Sequence, residues 1–308
     1  MNTETTKKNT YTGIVFAVIT TIIWSGNFII ARGLYKQIPP ISLGFYRWSL
    51  ASVIIFFLGY KSFMAEKSVV FKNKKYFFWT ALMGITLFNT FIYMAGHTTS
   101  AINLALIGTT TAPIFAILIS AFFLKESISP LRFTGLLCCI VGVLVLLSKG
   151  SIYTLLAFRF TAGDVWILLS AFVFSIYTVL VKRKPVGISP VSFLFVVFIG
   201  GTLLLLPFFI AEKILMPTVQ WDGHLIGSIL YLGIGASVIS FFCWNSAIAR
   251  IGSVRTALFG NLIPLFSTLE AVWLLGETIT IIHIISGALI ITGLLLANLK
   301  KAQGKTGI

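Results

Sequence analysis

The sequence predicts an all-α membrane protein of ten transmembrane helices, built as two five-helix repeats of opposite orientation. Three observations carry this prediction: a composition unable to coat a soluble surface, a recurrence of long apolar windows, and a landmark pattern that repeats at half-length. Of 308 residues, 57% are hydrophobic and 10% charged, with mean hydropathy +1.00. A soluble domain carries about 25% charged residues. So little charge excludes a cytosolic globular enzyme, a nucleic-acid binder and a disordered chain.

A bilayer core asks for about 20 apolar residues per helix. Windows of that kind fall at about 12–33, 41–60, 76–98, 101–124, 130–148, 162–181, 190–210, 225–249, 254–275 and 280–299. The first exceeds a signal sequence's apolar run and has no small-residue cleavage site after it. The second holds Arg47, the third Asn89 and Tyr93, the fourth Pro113, the fifth Cys138 and Cys139. The sixth carries Ser175, the seventh Gly200-Gly201, the eighth Trp244, and the ninth Asn261, Pro264 and Glu270. All are too long and too evenly apolar for strands. The ~10-residue alternation of a membrane β-barrel is not visible. The longest connection, Lys61 to Lys75, is too short to fold alone, so function belongs inside the bundle.

Charge orients these windows. With the N-terminus inside, the inner side takes Lys7, Lys8, Lys61, Lys67, Lys72, Lys74, Lys75, Lys125, Arg132, Lys182, Arg183, Lys184, Arg250, Arg255, Lys300, Lys301 and Lys305. The outer side takes Arg32, Lys36, Lys149, Arg159 and Lys213. The positive-inside rule places both termini in the cytoplasm. The net charge of +15 is then an orientation signal and not a docking surface for an acidic partner.

Shifted by 151 residues, Pro113 falls on Pro264, Leu124 on Leu275, Glu126 on Glu277, Gly142 on Gly293, Gly84 on Gly235 and Tyr93 on Trp244. Near the start of each half the shift is 150, with Pro40 on Pro190 and Ser25 on Ser175. The expected repeats are 11–149 and 160–299, flanked by cytoplasmic tails 1–10 and 300–308. Five is odd, so the second repeat enters from the opposite side. That is the inverted-repeat plan of secondary transporters, with a site near the midplane.

The repeat, the prolines with their following Lys125-Glu126 or Gly276-Glu277, Trp24-Ser-Gly-Asn-Phe28 and Phe45-Tyr-Arg-Trp48 together resemble the EamA branch of the drug/metabolite transporter superfamily. The resemblance covers about 12–299. It implies a bacterial inner-membrane carrier, often an exporter of amino acids and other small metabolites, with a cavity lined mainly by helices 1, 3, 4, 6, 8 and 9. One departure is Lys125, where the family has glycine. That glycine is structural, so the substrate reading is little affected.

Ionisable groups at membrane depth are costly and are functional candidates. Glu270 reads as a proton carrier or a partner for a substrate amine, against a structural ion pair or a neutral buried acid. Arg47, roughly 10 Å below its helix end, reads as a carboxylate clamp, against a side chain snorkelling to outer headgroups. The two could also pair as an outer gate. Trp24 with Asn27, and Asn89 with Tyr93, share helix faces one turn apart. With Trp244 and Asn261 they are candidate substrate-binding residues, against plain interhelical hydrogen bonding. Pro113 and Pro264 are candidate paired hinges, with Thr109, Thr110 and Thr111 beside the first. Gly135, Gly142, Gly200 and Gly201 fit close helix packing. Glu126 and Glu277 read as caps of the following helices.

His97, His224 and His283 have no second ligand at suitable spacing, so no metal is expected. Cys138, Cys139 and Cys243 are expected as free thiols. No cofactor is expected. The partners are a small-molecule substrate, the lipid bilayer and protons as coupling ion, with no nucleic acid; the chain is expected as a monomer or weak homodimer. An intramembrane enzyme would need a second deep carboxylate, a His-Glu-x-x-His helix or a glycine-flanked serine. A channel would need a repeated polar loop at depth. Neither pattern is present. The leading expectation is therefore a secondary transporter in the bacterial plasma membrane, exporting amino acids or related amphipathic solutes by alternating access. A proton-independent permease is the alternative.

Overall fold

The computed structural model describes residues 3–98, 101–124, 129–157, 161–216, 219–275 and 280–298. Among them there are helices, turns and no strand. The helices are α1 (Thr3–Gly33), α2 (Pro40–Lys72), α3 (Lys74–Thr98), α4 (Ala101–Leu124), α5 (Pro130–Leu147), α6 (Ala162–Lys182), α7 (Pro190–Leu215), α8 (Gly223–Ile251), α9 (253–275) and α10 (Ile281–Asn298). A single turn, Ile152–Leu156, precedes α6. Five of them, α2, α3, α6, α7 and α8, are long and apolar enough to cross a membrane, with shorter apolar stretches at Thr111–Phe123, Pro130–Leu146 and Ile281–Ala297.

Local chemistry sets the helix starts. Pro40, Pro130 and Pro190 occupy first helical positions, where their missing N–H costs nothing. Ser129 and Ser189 each accept the backbone N–H of the residue three along, at 3.3 Å. Asp222 caps α8 by accepting from Leu225 N at 2.7 Å. Gly252, at φ 88°, stops α8 in a conformation that other residues resist.

Two helix pairs join repeat-equivalent residues. In α2 and α7, the hydroxyls of Ser52 and Thr202 meet at 2.8 Å. In α5 and α10, Cys138 and Cys139 donate to the carbonyls of Leu289 and Ile290. There Gly135 and Gly293 face each other so closely that a Cβ on either would lie 2.5 Å from the other's carbonyl. The ends of α2 and α7 are capped reciprocally. Glu212 of α7 accepts from Ile41 N at 3.0 Å, Ser42 N at 2.6 Å and Ser42 Oγ at 2.8 Å. Glu66 of α2 accepts from Ser189 N at 2.8 Å. Glu212 lies past the 190–210 window read from the sequence, but it belongs to α7 and is 7% exposed. The carboxylate is buried because it satisfies amides at the start of α2.

Two helices depart from α geometry at equivalent places. Leu82–Leu87 of α3 and Tyr231–Ile239 of α8 are π-helical. In α9, Phe259–Leu262 is a 3-10 turn just before Pro264. The proline at the equivalent place in α4, Pro113, sits inside a continuous α-helix. The two prolines, candidate paired hinges, thus sit in unlike local geometry. Thr111 Oγ1 bonds back to Ile107 O. The side chains of Thr109 and Thr110 lie outside the described residues, as do Glu126 and Glu277.

The buried centre is aromatic: Trp24, Trp48, Phe174, Phe198, Phe241 and Trp244 form one cluster. Large apolar side chains also cover the outside, including Phe57, Leu118, Phe122, Leu203 and Phe208. Apolar side chains on both the inside and the outside suit a bundle whose solvent is lipid.

Candidate functional site

Arg47 anchors the centre of the bundle. It is 1% exposed. Nε donates to Ser237 Oγ at 2.6 Å. Nη1 lies within 2.8–3.0 Å of Asn27 Oδ1, Asn89 Oδ1 and the Tyr93 hydroxyl. Nη2 donates to the carbonyl of Ala236 at 2.8 Å. The Tyr93 hydroxyl in turn donates a hydrogen bond to Asn27 Oδ1 at 3.3 Å. Every acceptor is neutral. Asn27, Asn89, Arg47 and Tyr93, spread over α1, α2 and α3, therefore come together, joining two sequence pairs, Trp24 with Asn27 and Asn89 with Tyr93, through Arg47. A snorkelling arginine is not what the structure contains, because these bonds hold the guanidinium inside.

Ser237 and Ala236, which complete the set, are absent from the sequence-derived candidates. Both lie in the π-helical stretch of α8. Ala236 O also accepts from Trp24 Nε1 at 3.0 Å. The only advance signal was the equivalence of Gly84 and Gly235, which marks the two π segments without revealing their geometry.

A cavity of ≈ 60 Å³ lies beside Arg47. Its wall comes from α1 (Trp24, Asn27), α3 (Phe88, Ile92), α4 (Gly108, Ala112, Ala116), α6 (Ile167, Ser170, Ala171, Phe174, Ser175, Thr178), α8 (Trp244) and α9 (Ala257, Gly260, Ile263), with Arg47 from α2. Trp24 packs edge-on to Phe174 at 5.4 Å and lies 4.9 Å from Trp244. Asn89 and Tyr93 stand behind Arg47 and not on this wall. Asn261 is not on it either: it is fully buried and bonds back to Leu258 O at 2.9 Å.

Glu270 is engaged elsewhere. Its carboxylate accepts from Ser25 Oγ, so α9 and α1 are tied while the Arg47 guanidinium is taken up by neutral groups. The Arg47–Glu270 gate considered from the sequence is not formed in this structure. Cys138, Cys139 and Cys243 are free thiols. Among the described residues no cluster of His, Cys, Asp or Glu could hold a metal.

The profile of the EamA-like transporter family matches residues 11–148 and again 161–299. The chain belongs to the EamA-like transporter family. An uncharacterized transporter of Archaeoglobus fulgidus is 28% identical over 96% of this chain and 100% of its own length. A protein of Escherichia coli K12 named "probable amino-acid metabolite efflux pump" is 25% identical over 91% of this chain and 92% of its own. A protein of known crystal structure superposes with a TM-score of 0.73 at 20% identity, covering 95% of this chain and 96% of that one; at that identity it reports the fold. This EamA-like protein is thus a multi-pass membrane transporter, and neither the family nor these relatives are named as enzymes.

Proposed function

We propose that this EamA-like protein is a secondary transporter that carries small amphipathic metabolites, amino acids or their relatives, across the bacterial plasma membrane by alternating access. The observation that carries the reading is the central cavity, built from α1, α3 and α4 of one family-matching segment and α6, α8 and α9 of the other. A solute held between two halves can be passed between their arrangements. The amino-acid efflux name of the Escherichia coli relative adds weight to this substrate class and to export.

The finer architecture is also proposed: ten spans in two inverted repeats, 11–149 and 160–299, with both termini cytoplasmic. It is supported by the antiparallel cross-capping of α2 and α7, by Ser52 meeting its equivalent Thr202, and by the matched π segments. Trp24, Asn27, Arg47 and Trp244 would contact solute, and Asn89 and Tyr93 would position Arg47. Asn261, beside Gly260 and ahead of Pro264, would act with that proline at the 3-10 turn of α9; Pro113 would serve α4. Glu270 would carry the coupling proton.

Proteoliposomes containing the chain test this. A carrier gives saturable uptake and counterflow of a preloaded amino acid; a substrate-independent ohmic current would sink the reading in favour of a channel. For coupling, Glu270→Gln should abolish uptake driven by a pH gradient while leaving counterflow. Gradient-driven uptake at the unmodified rate would remove Glu270 from the mechanism.

A further inference from the structure

We propose that the cavity recognises its solute by a carboxylate and an apolar body, and that an amino group adds nothing to recognition. The substrate class is then the apolar organic monocarboxylate, with amino acids accepted only as members of it. The inference rests on the transport reading above and narrows it.

Among the described residues, the wall of the cavity carries one formal charge, that of Arg47, and no carboxylate. A guanidinium in a low-dielectric interior is stable only with hydrogen bonds or a counterion. Here the bonds are present, and among the described residues none of them goes to a carboxylate: Ser237, Asn27, Asn89, Tyr93 and Ala236 O are all neutral. Arginine has five N–H groups. One is on Nε, two on Nη1 face three acceptors, and Nη2 has one described acceptor for its two protons.

A second donor points to the same chemistry. Trp244 is 2% exposed and lines the cavity, and its Nε1 has no acceptor among the described residues. An indole N–H can only donate, so it too is left for a solute oxygen. Two uncommitted donors, one of them charged, suit a carboxylate.

An ammonium finds the opposite conditions. The hydroxyls of Ser170, Ser175 and Thr178 already donate to the carbonyls of Phe88, Ala112 and Phe174, so only neutral lone pairs remain. In an α-amino acid the amine adjoins the carboxylate, which would place it close to the Arg47 charge. Glu270, the acid nominated as its partner, bonds to Ser25 and is not on the wall. The faces of Trp24, Phe174 and Trp244 can take an apolar body.

The test is calorimetric binding to the full chain in lipid nanodiscs, with empty nanodiscs as blank. The probes are two matched triads: phenylalanine, 3-phenylpropanoate and 2-phenylethylamine; then leucine, 4-methylpentanoate and 3-methylbutylamine. In at least one triad the deamino acid should bind within about threefold of the amino acid, and the amine at least about tenfold more weakly. Trp244→Phe, which keeps a smaller aromatic ring and removes the N–H, should weaken the acid about fivefold more than it weakens the amine. An amine as tight as its acid, an amino acid more than about tenfold tighter than its deamino form, or no binding by either acid overturns the inference. Saturable counterflow of some other solute would then still leave the transport reading standing, and its absence for every solute would sink that reading separately.

Discussion

Trp24 and Arg47 donate to the same carbonyl, that of Ala236, at 3.0 and 2.8 Å. One backbone oxygen in the π-helical part of α8 thus ties α1 and α2 together at the wall of the cavity. Trp24→Phe keeps an aromatic ring against Phe174 and Trp244 and removes one of the two bonds. We expect a loss of about 1 kcal/mol, the net worth of a typical hydrogen bond, read from chemical unfolding in micelles. A stability equal to the parent's would show that the shared carbonyl does not hold the two helices.

Glu212 and Glu66 cap each other's helices, but not equally. Glu212 accepts from two amides and a hydroxyl while 7% exposed; Glu66 is only half-buried. Glu212→Gln should cost about 2 kcal/mol, as expected for buried hydrogen bonds to a charged group. Glu66→Gln should cost under about 1 kcal/mol. Unfolding of both variants in one detergent compares them, and a larger loss for Glu66→Gln would contradict the reciprocal-cap reading.

Gly293 and Gly227 should respond in opposite directions to the same added methyl. At Gly293 a Cβ would meet Gly135 O at 2.5 Å and Cys139 Sγ at 2.6 Å; at Gly227 nothing lies within 4 Å. Gly293→Ala should cost about 1–3 kcal/mol by overpacking. Gly227→Ala, in a helix, should gain up to about 1 kcal/mol. The pair of melting curves checks both signs.

Asp222 should give the start of α8 an acid limit. The Leu225 amide, bonded to its carboxylate, holds Asp222 below the ordinary 3.8. Its stabilisation is complete above that value and fades as pH falls through the lowered one. The protection of Gly223–Leu230 amides, taken relative to their intrinsic exchange rates, should therefore fall below about pH 3.8, and Asp222→Asn should flatten that response. Identical profiles for the two would remove Asp222 as its source.

Much of the bundle is legible in one dimension. Long uncharged runs locate helices because bilayer thickness demands length. The pairing of Trp24 with Asn27, and of Asn89 with Tyr93, follows from helical spacing, which puts residues one turn apart on one face. The partners of Arg47 are another matter. Which face turns inward depends on how neighbouring helices pack, and a π turn carries an extra residue that shifts the phase of everything after it. No apolar periodicity records that shift, so Ser237 and Ala236 could not be nominated.

The two deep charges show the same division. Their similar distance from helix ends makes pairing of Arg47 with Glu270 reasonable on a line. In three dimensions each points to other groups: Arg47 to five neutral acceptors, Glu270 to Ser25.

By itself, then, the sequence determined the apolar helices, their short connections, the half-length repetition and the family, since each depends on residue type and spacing along the chain. Tertiary structure alone decided that the described partners of buried Arg47 are all neutral, that Glu212 of α7 caps α2, and that α9 but not α4 turns 3-10 before its proline. Those outcomes depend on what stands opposite in space, where a buried donor or acceptor must find a partner among helices distant in sequence.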